Sequence, residues 1–372
     1  MNFDFDDDQH HLKDEARRFL TARCNSAVVR GILDDPNREH DAGLWMEIAG
    51  QGWIGAALPE PSGGLGLGYI TLCALATELG RAVAPIPFSS TVYRFAEALQ
   101  LVGDHAVREE ILPVIATGEQ IGTVALAEGA GDPLVAGVSA TVRDGRLYGT
   151  KYPVVDGGIA DWAVVLADDR LWLAKLDDSG VKREALPSLD PTRGLSRIVF
   201  DSVPVRPLGE EGAGTALADL IENRAAVMIA FEQLGGADRC LEMAVDYAKQ
   251  RYAFGRPIGS YQAIKHRLAD MAIKIEVLRA NAYYAAWALE TGAPELARAA
   301  CAARIAGSDA YWFAAREGLH VHGGIGFTWE LDCHLHYRRA QFLNLMLGPP
   351  ARWKRKLADL IDQSADGQHH GL

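Results

Sequence analysis

The segment with the clearest capacity for chemistry runs from Arg251 to Met271 and reads RYAFGRPIGSYQAIKHRLADM. Arg251 and Arg256 flank Phe254 and a glycine in a turn that leads into a helical sequence. Guanidinium groups, together with the free N–H groups at the start of a helix, can hold a phosphate. A capped helix hairpin with solvated arginines explains the same residues equally well. The residue types alone therefore leave both a phosphate clamp and a plain turn open.

A second candidate segment runs from His320 to Glu330 and reads HVHGGIGFTWE. It contains Gly323, Gly324 and Gly326, and glycine permits positive φ and a close approach of a bound group to the backbone. The alternative is a helix C-cap followed by a tight turn. Here too the residue types by themselves do not decide between the two.

Both segments lie at the ends of predicted helices in the C-terminal part of the chain. Ala, Leu, Met, Glu and Arg occupy most positions of residues 213–250 without a proline, which predicts one long helix. Three further helical stretches are predicted at 260–290, 294–319 and 337–361. Helices of this length with short connections are typical of a four-helix bundle.

The middle of the chain has a different pattern, because apolar and polar residues alternate in short runs between Ile121 and Val205. The Asp144-Gly145 dipeptide predicts a hairpin turn. Further strands are predicted at 162–167, 171–176 and 197–200. Turn residues and no helix-length insertions separate these runs, which favours a small antiparallel barrel or sandwich over a parallel α/β fold.

We therefore predict an α+β fold of three domains. These are an N-terminal all-α domain (1–118), a middle antiparallel β barrel (119–210) and a C-terminal four-helix bundle (211–364); a frayed tail (365–372) follows them. The glycine-rich segment 63–68 lacks the G-x-G-x-x-G spacing and a clear preceding strand, so a Rossmann fold is disfavoured.

Composition excludes several classes of partner. The 372 residues carry a formal charge of −12, which weakens attraction to nucleic acids and to anionic membranes. We find neither a targeting sequence nor a run of about 20 apolar residues that would span a bilayer. The five cysteines are scattered and odd in number, which favours reduced thiols and a cytoplasmic protein.

Other chemistries lack the required spacing. His320, His322, Cys333, His334 and His336 are close in sequence, but no C-x-x-C or H-x-x-x-H pattern holds them, so we predict no metal. No G-x-S-x-G elbow or G-x-x-x-x-G-K-[ST] loop is present, which leaves serine-hydrolase and P-loop chemistry unsupported.

The two candidate segments together resemble the acyl-CoA dehydrogenase family. The first is similar to its signature R-x-x-F-G-x-x-I-x-x-x-Q-x-x-x-x-x-L-A-D-M, the second to its H-G-G-x-G segment, and the three-part layout matches over essentially the whole chain. The resemblance implies FAD bound between β domain and bundle, an acyl-CoA substrate, an electron-transfer flavoprotein as electron acceptor, and a homotetramer.

The resemblance also implies which residues hold FAD. Arg251 and Phe254 are expected at the pyrophosphate and adenine end, with Arg251 contributed across a subunit interface. Gln262, Gly323 and Gly324 are expected to complete the cradle. A pyrophosphate needs guanidinium and N–H donors at close range, which agrees with both segments.

Three segments depart from the family pattern. The usual T-E-P-x-A-G-S-D segment corresponds to residues 127–132, AEGAGD, so Ala127 replaces a threonine hydroxyl and backbone donors must serve instead. The usual W-I-T-N-G segment corresponds to residues 153–157, PVVDG, so Val155 can offer the flavin only an apolar contact. His320 occupies the position of a family glutamine.

The implied reaction removes a proton from the α carbon of a thioester while a hydride leaves the β carbon for FAD. It needs a carboxylate whose pKa is raised by an apolar pocket. In many members this carboxylate follows the Y-R-x-A motif, here Tyr337–Ala340, but the matching residues are Leu347–Pro349. In others it lies on the first bundle helix, where Ala225 stands here. Both customary positions lack a carboxylate.

Glu232 is the remaining candidate for the base. It follows Ala225 by seven residues, on nearly the same helix face, within an apolar run. A lone carboxylate there is costly unless neutralised, paired or used. Gly235 and Gly236 cost about 1 kcal/mol each in a helix, which predicts that an acyl chain or flavin approaches closely. The alternatives are a salt bridge to an arginine of the bundle and exposure to water.

Glu222 and Asp238 are weaker candidates, because polar neighbours predict that both are solvated. Three functional hypotheses remain. The first is FAD-dependent α,β-dehydrogenation of a bulky, for example sterol-derived, acyl-CoA. The second is a non-catalytic subunit of a heterotetramer that completes the FAD site of a homologous partner. The third is an oxidase or monooxygenase on the same scaffold.

Overall fold

The computed structural model describes residues 5–132, 134 and 137–369. The chain forms two compact units. One, called here the helical unit, comprises Met1–Ala22, Cys73–Ala84 and Ala226–Leu372; the other, the sheet unit, comprises Arg23–Leu72 and Pro85–Ala225. The three-domain division expected from the sequence stays a prediction.

Helices dominate both ends of the chain, as the apolar periodicity predicts. In chain order they are α1 Asp7–Arg23, α2 Ser26–Leu33, α3 Ala42–Gly50, α4 Gly68–Arg81, α5 Phe88–Ser90, α6 Glu97–Val102, α7 His105–Ala116, α8 Gly214–Gln250, α9 Gln262–Thr291, α10 Leu296–His322, α11 Cys333–Met346 and α12 Pro350–His369. A π-helical segment, Thr91–Ala96, joins α5 to α6. In the described part of the chain, none of these helices combines the length and apolar character needed to cross a bilayer.

The sheet unit contains a seven-stranded sheet. Its strands are β1 Gly122–Ala125, β2 Thr141–Arg143, β3 Arg146–Val155, β4 Trp162–Ala167, β5 Arg170–Lys175, β6 Val181–Leu186 and β7 Leu195–Leu208. The order is β1-β4-β5-β7-β3-β2, with β6 also paired to β7. The pairings are antiparallel except β1 with β4, which is parallel.

Local sequence explains how this sheet is built. Asp144 and Gly145, between β2 and β3, have φ of 50° and 71°, as a two-residue hairpin turn with two left-handed residues requires. This confirms the predicted hairpin. All six residues of β4 are buried, which agrees with its continuous apolar sequence.

The helical unit follows the predicted bundle, except that its last helical stretch is divided and ends later than predicted. Helix α8 has 37 residues and is about 55 Å long, and α9 and α10 lie close to their predicted bounds. The stretch predicted as one helix at 337–361 is two helices, α11 and α12. The break comes at Gly348, whose φ is 82°, followed by Pro349, because a left-handed residue before a proline ends a helix.

The last helix continues to His369, beyond the point where we expected it to end. The sequence after Pro350 contains no further proline to stop it. Residues 370–372 of the predicted tail lie outside the described residues.

Candidate functional site

The first candidate segment forms a two-stranded hairpin after α8. Strands β8 Tyr252–Ala253 and β9 Arg256–Pro257 pair across Phe254 and Gly255, whose φ values are 51° and 79°. The hydroxyl of Tyr261 donates to the Ala253 carbonyl at 2.9 Å, and the guanidinium of Arg256 lies 4.1 Å from the Tyr261 ring centroid. These contacts hold the hairpin in one conformation.

Phe254 is the exceptional residue of this hairpin. Its side chain is 97% exposed although its backbone lies in the left-handed region, which is unfavourable for a bulky residue. A strained backbone whose side chain makes no compensating packing contacts is typical of a residue that binds a ligand. Arg251 beside it is exposed as well.

The second candidate segment ends α10 with an open glycine turn. Gly323 has φ of 65°, and a Cβ added at Gly323 or Gly324 would meet no atom within 4 Å. Nδ1 of His322 donates to the Gly318 carbonyl at 2.7 Å and fixes the last turn of α10. The backbone of both glycines is therefore accessible to a ligand.

A ring contact brings the two segments to the same end of the helical unit. The rings of His322 and Tyr247 lie 4.4 Å apart between centroids, and Tyr247 precedes Arg251 by one helical turn. Gln262, the first residue of α9, is exposed and follows the hairpin directly. Arginine side chains, an unpacked aromatic ring and accessible glycines fit the anionic, aromatic ADP half of FAD. The residues present thus agree with a dinucleotide cradle.

The remaining two predicted FAD residues lie in the sheet unit. The Ala127 carbonyl accepts from the Tyr152 N–H of β3 at 2.9 Å. Val155 ends the same strand, and its carbonyl accepts from the Thr123 hydroxyl at 2.7 Å. Ala127 is therefore hydrogen-bonded to the same strand that Val155 ends.

The neighbour of Ala127, Glu128, is a structural anchor. Its carboxylate accepts from Lys151 Nζ at 2.6 Å and from the N–H groups of Ser139 and Ala140 at 2.8 and 3.0 Å. Burial opposes ionisation, but these hydrogen bonds outweigh it and lower the pKa of Glu128 to about 2. A carboxylate with so low a pKa is a weak base near neutral pH and a poor candidate for removing the α proton.

A buried ion pair that sequence reasoning missed holds the residues after Val155. Asp156 has φ of 55°, and its carboxylate accepts from Arg193 at 2.7 Å and from the Ser90 hydroxyl at 2.5 Å. Both side chains of the pair are at most 2% exposed. An arginine 37 residues away leaves no periodic signal in the sequence, so only the fold reveals it.

Glu232 is buried, with 4% of its surface exposed, on the part of α8 that belongs to the helical unit. Its Oε1 lies 3.4 Å from Nη1 of Arg339 on α11. Arg339 also donates to the Ala84 carbonyl at 3.2 Å and the Val83 carbonyl at 3.4 Å. The side chain does not face water, and an arginine of the bundle lies beside it, one of the alternatives that the sequence left open.

The glycines after Glu232 have close neighbours, as predicted, but the neighbours are protein atoms. A Cβ at Gly235 would lie 1.7 Å from the Thr77 carbonyl oxygen, and one at Gly236 would lie 2.4 Å from the Tyr311 ring. Gly80 meets the Glu232 backbone in the same way, at 1.9 Å. Helix α4 and Tyr311, not an acyl chain or flavin, account for these two glycines.

The prediction that Glu222 is solvated is wrong. Glu222 is 1% exposed, and its Oε1 accepts from Nη2 of Arg94 at 2.6 Å. The arginine compensates a charge that would otherwise be too costly to bury. Asp238 is 25% exposed in its side chain and pairs with Arg279 at 2.9 Å, so it too is largely removed from water.

Ala225, one of the two positions at which family members carry the catalytic base, is fully buried. The charged residues that precede it form ion pairs with other side chains. Arg224 pairs with Glu97, whose carboxylate also accepts from the Tyr69 hydroxyl at 3.1 and 3.2 Å. Burial raises the pKa of both Glu97 and Tyr69. Arg94 belongs to the π-helical segment, a rare conformation that occurs frequently at functional sites. Arg94 stands between the aromatic residues Tyr93 and Phe95, and a charged residue in such a setting is the sequence signal that could have indicated this buried cluster.

Of the residues considered for metal binding, His322, Cys333 and His336 are buried in the helical unit, whereas the side chain of His320 is 58% exposed. Burial raises the pKa of the Cys333 thiol to about 11 and lowers the pKa of His336 to about 3. The hydroxyl of Tyr311 lies 3.0 Å from Nδ1 of His336. Among the residues that the structure describes, no three His, Cys, Asp or Glu side chains are arranged to hold a metal ion.

Comparison with known proteins gives consistent matches. The family model for the acyl-CoA dehydrogenase N-terminal domain matches residues 6–119, and that for the C-terminal domain matches residues 210–359. Acyl-CoA dehydrogenase IpdE2 of Mycobacterium tuberculosis (strain ATCC 25618 / H37Rv) is 33% identical over 363 residues, which cover 96% of this chain and 98% of that protein.

Solved structures agree. A chain of the Tcur3481-Tcur3483 steroid ACAD variant superimposes with a TM-score of 0.88 at 32% identity, covering 96% of this chain and 99% of that one. A chain of the ChsE4-ChsE5 complex from Mycobacterium tuberculosis has a TM-score of 0.88 at 27% identity, covering 97% and 99%.

Proposed function

The chain belongs to the acyl-CoA dehydrogenase family of FAD-dependent oxidoreductases that act on CH–CH bonds, and on that premise we propose a specific reaction. The proposed reaction is the α,β-dehydrogenation of a bulky, sterol-derived acyl-CoA to the 2-enoyl-CoA, with electrons passed to an electron-transfer flavoprotein. The steroid ACAD among the similar structures supports this substrate class. None of the five cysteines forms a disulfide, which supports a cytoplasmic location.

The observation that supports the proposal is that residues expected to hold FAD lie at one end of the helical unit. Phe254 is unpacked and strained, Arg251 is exposed beside it, and Gly323 and Gly324 leave their backbone open. Gln262 begins the next helix. In the sheet unit, the anchored loop at Ala127 and the end of β3 at Val155 would offer backbone and apolar contacts to the flavin.

Bound FAD supplies the acceptor for the hydride that leaves the β carbon of the thioester. The chain must supply a base for the α proton, and we propose Glu232 for this role. Its side chain is 4% exposed, so the carboxylate is shielded from water, as the reaction requires. The Arg339 guanidinium, 3.4 Å from the Glu232 carboxylate, lowers the basicity of that carboxylate. Two backbone carbonyl groups also bind this guanidinium, so they hold it in place independently of Glu232.

Glu232→Gln tests this role, because the amide keeps the shape and removes the base. The expected result is a loss of at least about a hundredfold in kcat with acyl-CoA, with FAD content unchanged. Asp238→Asn is the matched control on the same helix, because Asp238 is also paired with an arginine. Equal kcat in Glu232→Gln and the wild type would assign Glu232 to the Arg339 ion pair alone.

A second candidate function is a subunit that completes the FAD site of a homologous partner. Two observations favour it. Neither Ala225 nor Leu347–Pro349 provides a carboxylate, and the charged residues beside Ala225 already form ion pairs. A chain similar to this one is part of the ChsE4-ChsE5 complex.

The visible spectrum of the purified chain separates the two functions. A yellow homotetramer with about one flavin per subunit, which reduces ferricenium with bulky acyl-CoAs, supports the dehydrogenase. A colourless chain that acquires flavin only with a homologous partner, as a heterotetramer, supports the subunit. Flavin that is reoxidised rapidly by oxygen would indicate an oxidase instead.

A further inference from the structure

A half-buried lysine of the helical unit has no ion-pair partner of its own. Lys13 lies on α1, and its Nζ is 5.3 Å from the centroid of the buried Phe5 ring. Among the residues that the structure describes, none forms a hydrogen bond or an ion pair with this amine. Because an ammonium group that loses part of its water without gaining such a partner is costly, the site disfavours the charged form of Lys13.

The carboxylates that face Lys13 are already bound by arginines. Glu78 of α4 accepts from Nε and Nη2 of Arg17 at 2.9 and 2.8 Å. Asp238 of α8 accepts from Nη2 of Arg279 at 2.9 and 3.1 Å. Two guanidinium groups therefore balance two carboxylates, and the ammonium group of Lys13 is the surplus charge of this cluster.

The balance of these groups makes Lys13 a better nucleophile than an ordinary lysine. Burial is the main cause that lowers the pKa of Lys13. The two carboxylates raise this pKa and the two guanidinium groups lower it, so the carboxylates do not restore its ordinary value. A lysine that is partly desolvated or stands beside another cation is activated as a nucleophile toward carbonyl carbons, because its amine is neutral more often.

We propose that Lys13 is a site of covalent acylation by acyl-CoA thioesters, the class of compound on which this family acts. The neutral amine attacks the thioester carbonyl carbon, so a C–N bond forms and the C–S bond breaks. CoA leaves as the thiolate and takes up the proton that the nitrogen releases, and no oxidant or reductant is needed. The product is an uncharged amide, which removes the surplus charge from the cluster. This modification goes beyond the proposed dehydrogenation.

The first test uses acetyl-CoA as the acyl donor and peptide mass spectrometry as the readout. Lys182 on β6 and Lys354 on α12 are the controls, because both are exposed and thus more accessible than Lys13. At pH 7.5 Lys13 is expected to be acetylated at least about threefold faster than either control, because more of its amine is neutral. This advantage should disappear at pH 10.5, where ordinary lysines are also largely deprotonated. Lys13→Arg should remove the adduct at position 13 and leave the other two.

A second test changes the charges around the amine. Arg279→Met leaves the Asp238 carboxylate without its guanidinium, so this carboxylate becomes available to Lys13 and favours the ammonium form. Acetylation of Lys13 at pH 7.5 is expected to fall at least about threefold in this variant, whereas both control lysines keep their rates. Arg18→Met is the matched control, because Arg18 lies on α1 in an exposed pair with Glu15, and it should retain the wild-type rate.

Two results would overturn the inference. The first is acetylation of Lys13 at pH 7.5 that is no faster than that of Lys182 and Lys354. The second is an unchanged rate at Lys13 in Arg279→Met that is folded as the wild type is; if this variant does not fold, the wild-type comparison at the two pH values decides. The acetyl group has no β carbon, so acetyl-CoA cannot undergo α,β-dehydrogenation, and neither result bears on the proposed function.

Discussion

Removing one member of the buried Asp156–Arg193 pair should destabilise the protein far more than removing a surface pair. The two side chains are 1% and 2% exposed, and their charged atoms lie 2.7 Å apart. Arg193→Met leaves the Asp156 carboxylate buried with the Ser90 hydrogen bond but without its counterion. Uncompensated buried charges of this kind cost about 3–5 kcal/mol.

The assay is a double-mutant cycle of urea unfolding. Arg193→Met and Asp156→Asn are each expected to lower the free energy of unfolding by about 3 kcal/mol or more. The double variant buries no uncompensated charge, so its loss should be at least about 2 kcal/mol smaller than the sum of the two. Arg18→Met removes a surface pair with Glu15, in which both side chains are at least two-thirds exposed, and should cost less than about 1 kcal/mol.

Two results would refute this reasoning. Additive losses in the cycle would mean that the two side chains act independently. A loss in Arg193→Met no larger than in Arg18→Met would mean that the burial of the pair does not control its energetics.

Three further predictions follow from buried groups and close contacts. Burial is the main cause that raises the pKa of Glu39, and the charge of Asp156 raises it further. The Oε2 atom of Glu39 is buried without a hydrogen-bond partner in the described structure. The stability that Glu39 contributes is present below its unfolded pKa and is lost as pH rises through its folded pKa. Because the Glu39 carboxyl is only partly buried and its charge is screened by water, Glu39→Gln should raise the free energy of unfolding by less than about 1 kcal/mol at pH 8 and not at pH 4, measured by urea unfolding. Gly235→Ala should cost about 3 kcal/mol or more in the same assay, because its Cβ would lie 1.7 Å from a carbonyl oxygen of α4, whereas Gly50→Ala, with open space around the Cβ, should change stability by less than about 1 kcal/mol. The pKa of Glu128 is about 2 in the fold, so its stabilisation is present above its unfolded pKa and lost as pH falls towards 2; Lys151→Met should lower stability at pH 7 and flatten the acid dependence between pH 5 and 2 in thermal unfolding scans.

The sequence alone determined the helices and strands of this protein and the two motifs that point to its family. Apolar periodicity predicts the helices of both ends, and the alternation between Ile121 and Val205 predicts the strands, because both signals are local and repeat with the geometry of the backbone. The Asp144-Gly145 turn is predicted for the same reason. The segment from Arg251 and the H-G-G segment carry the resemblance without any knowledge of the fold.

Tertiary structure decided which side chains meet. Glu232 and Arg339 are 107 residues apart, Glu222 and Arg94 are 128 apart, and Asp156 and Arg193 are 37 apart. No periodic pattern links such positions, because each pair depends on how separate elements pack. For the same reason the sequence predicted a close neighbour at Gly235 but not that α4 is that neighbour, and predicted that Glu222 faces water when a distant arginine permits its burial.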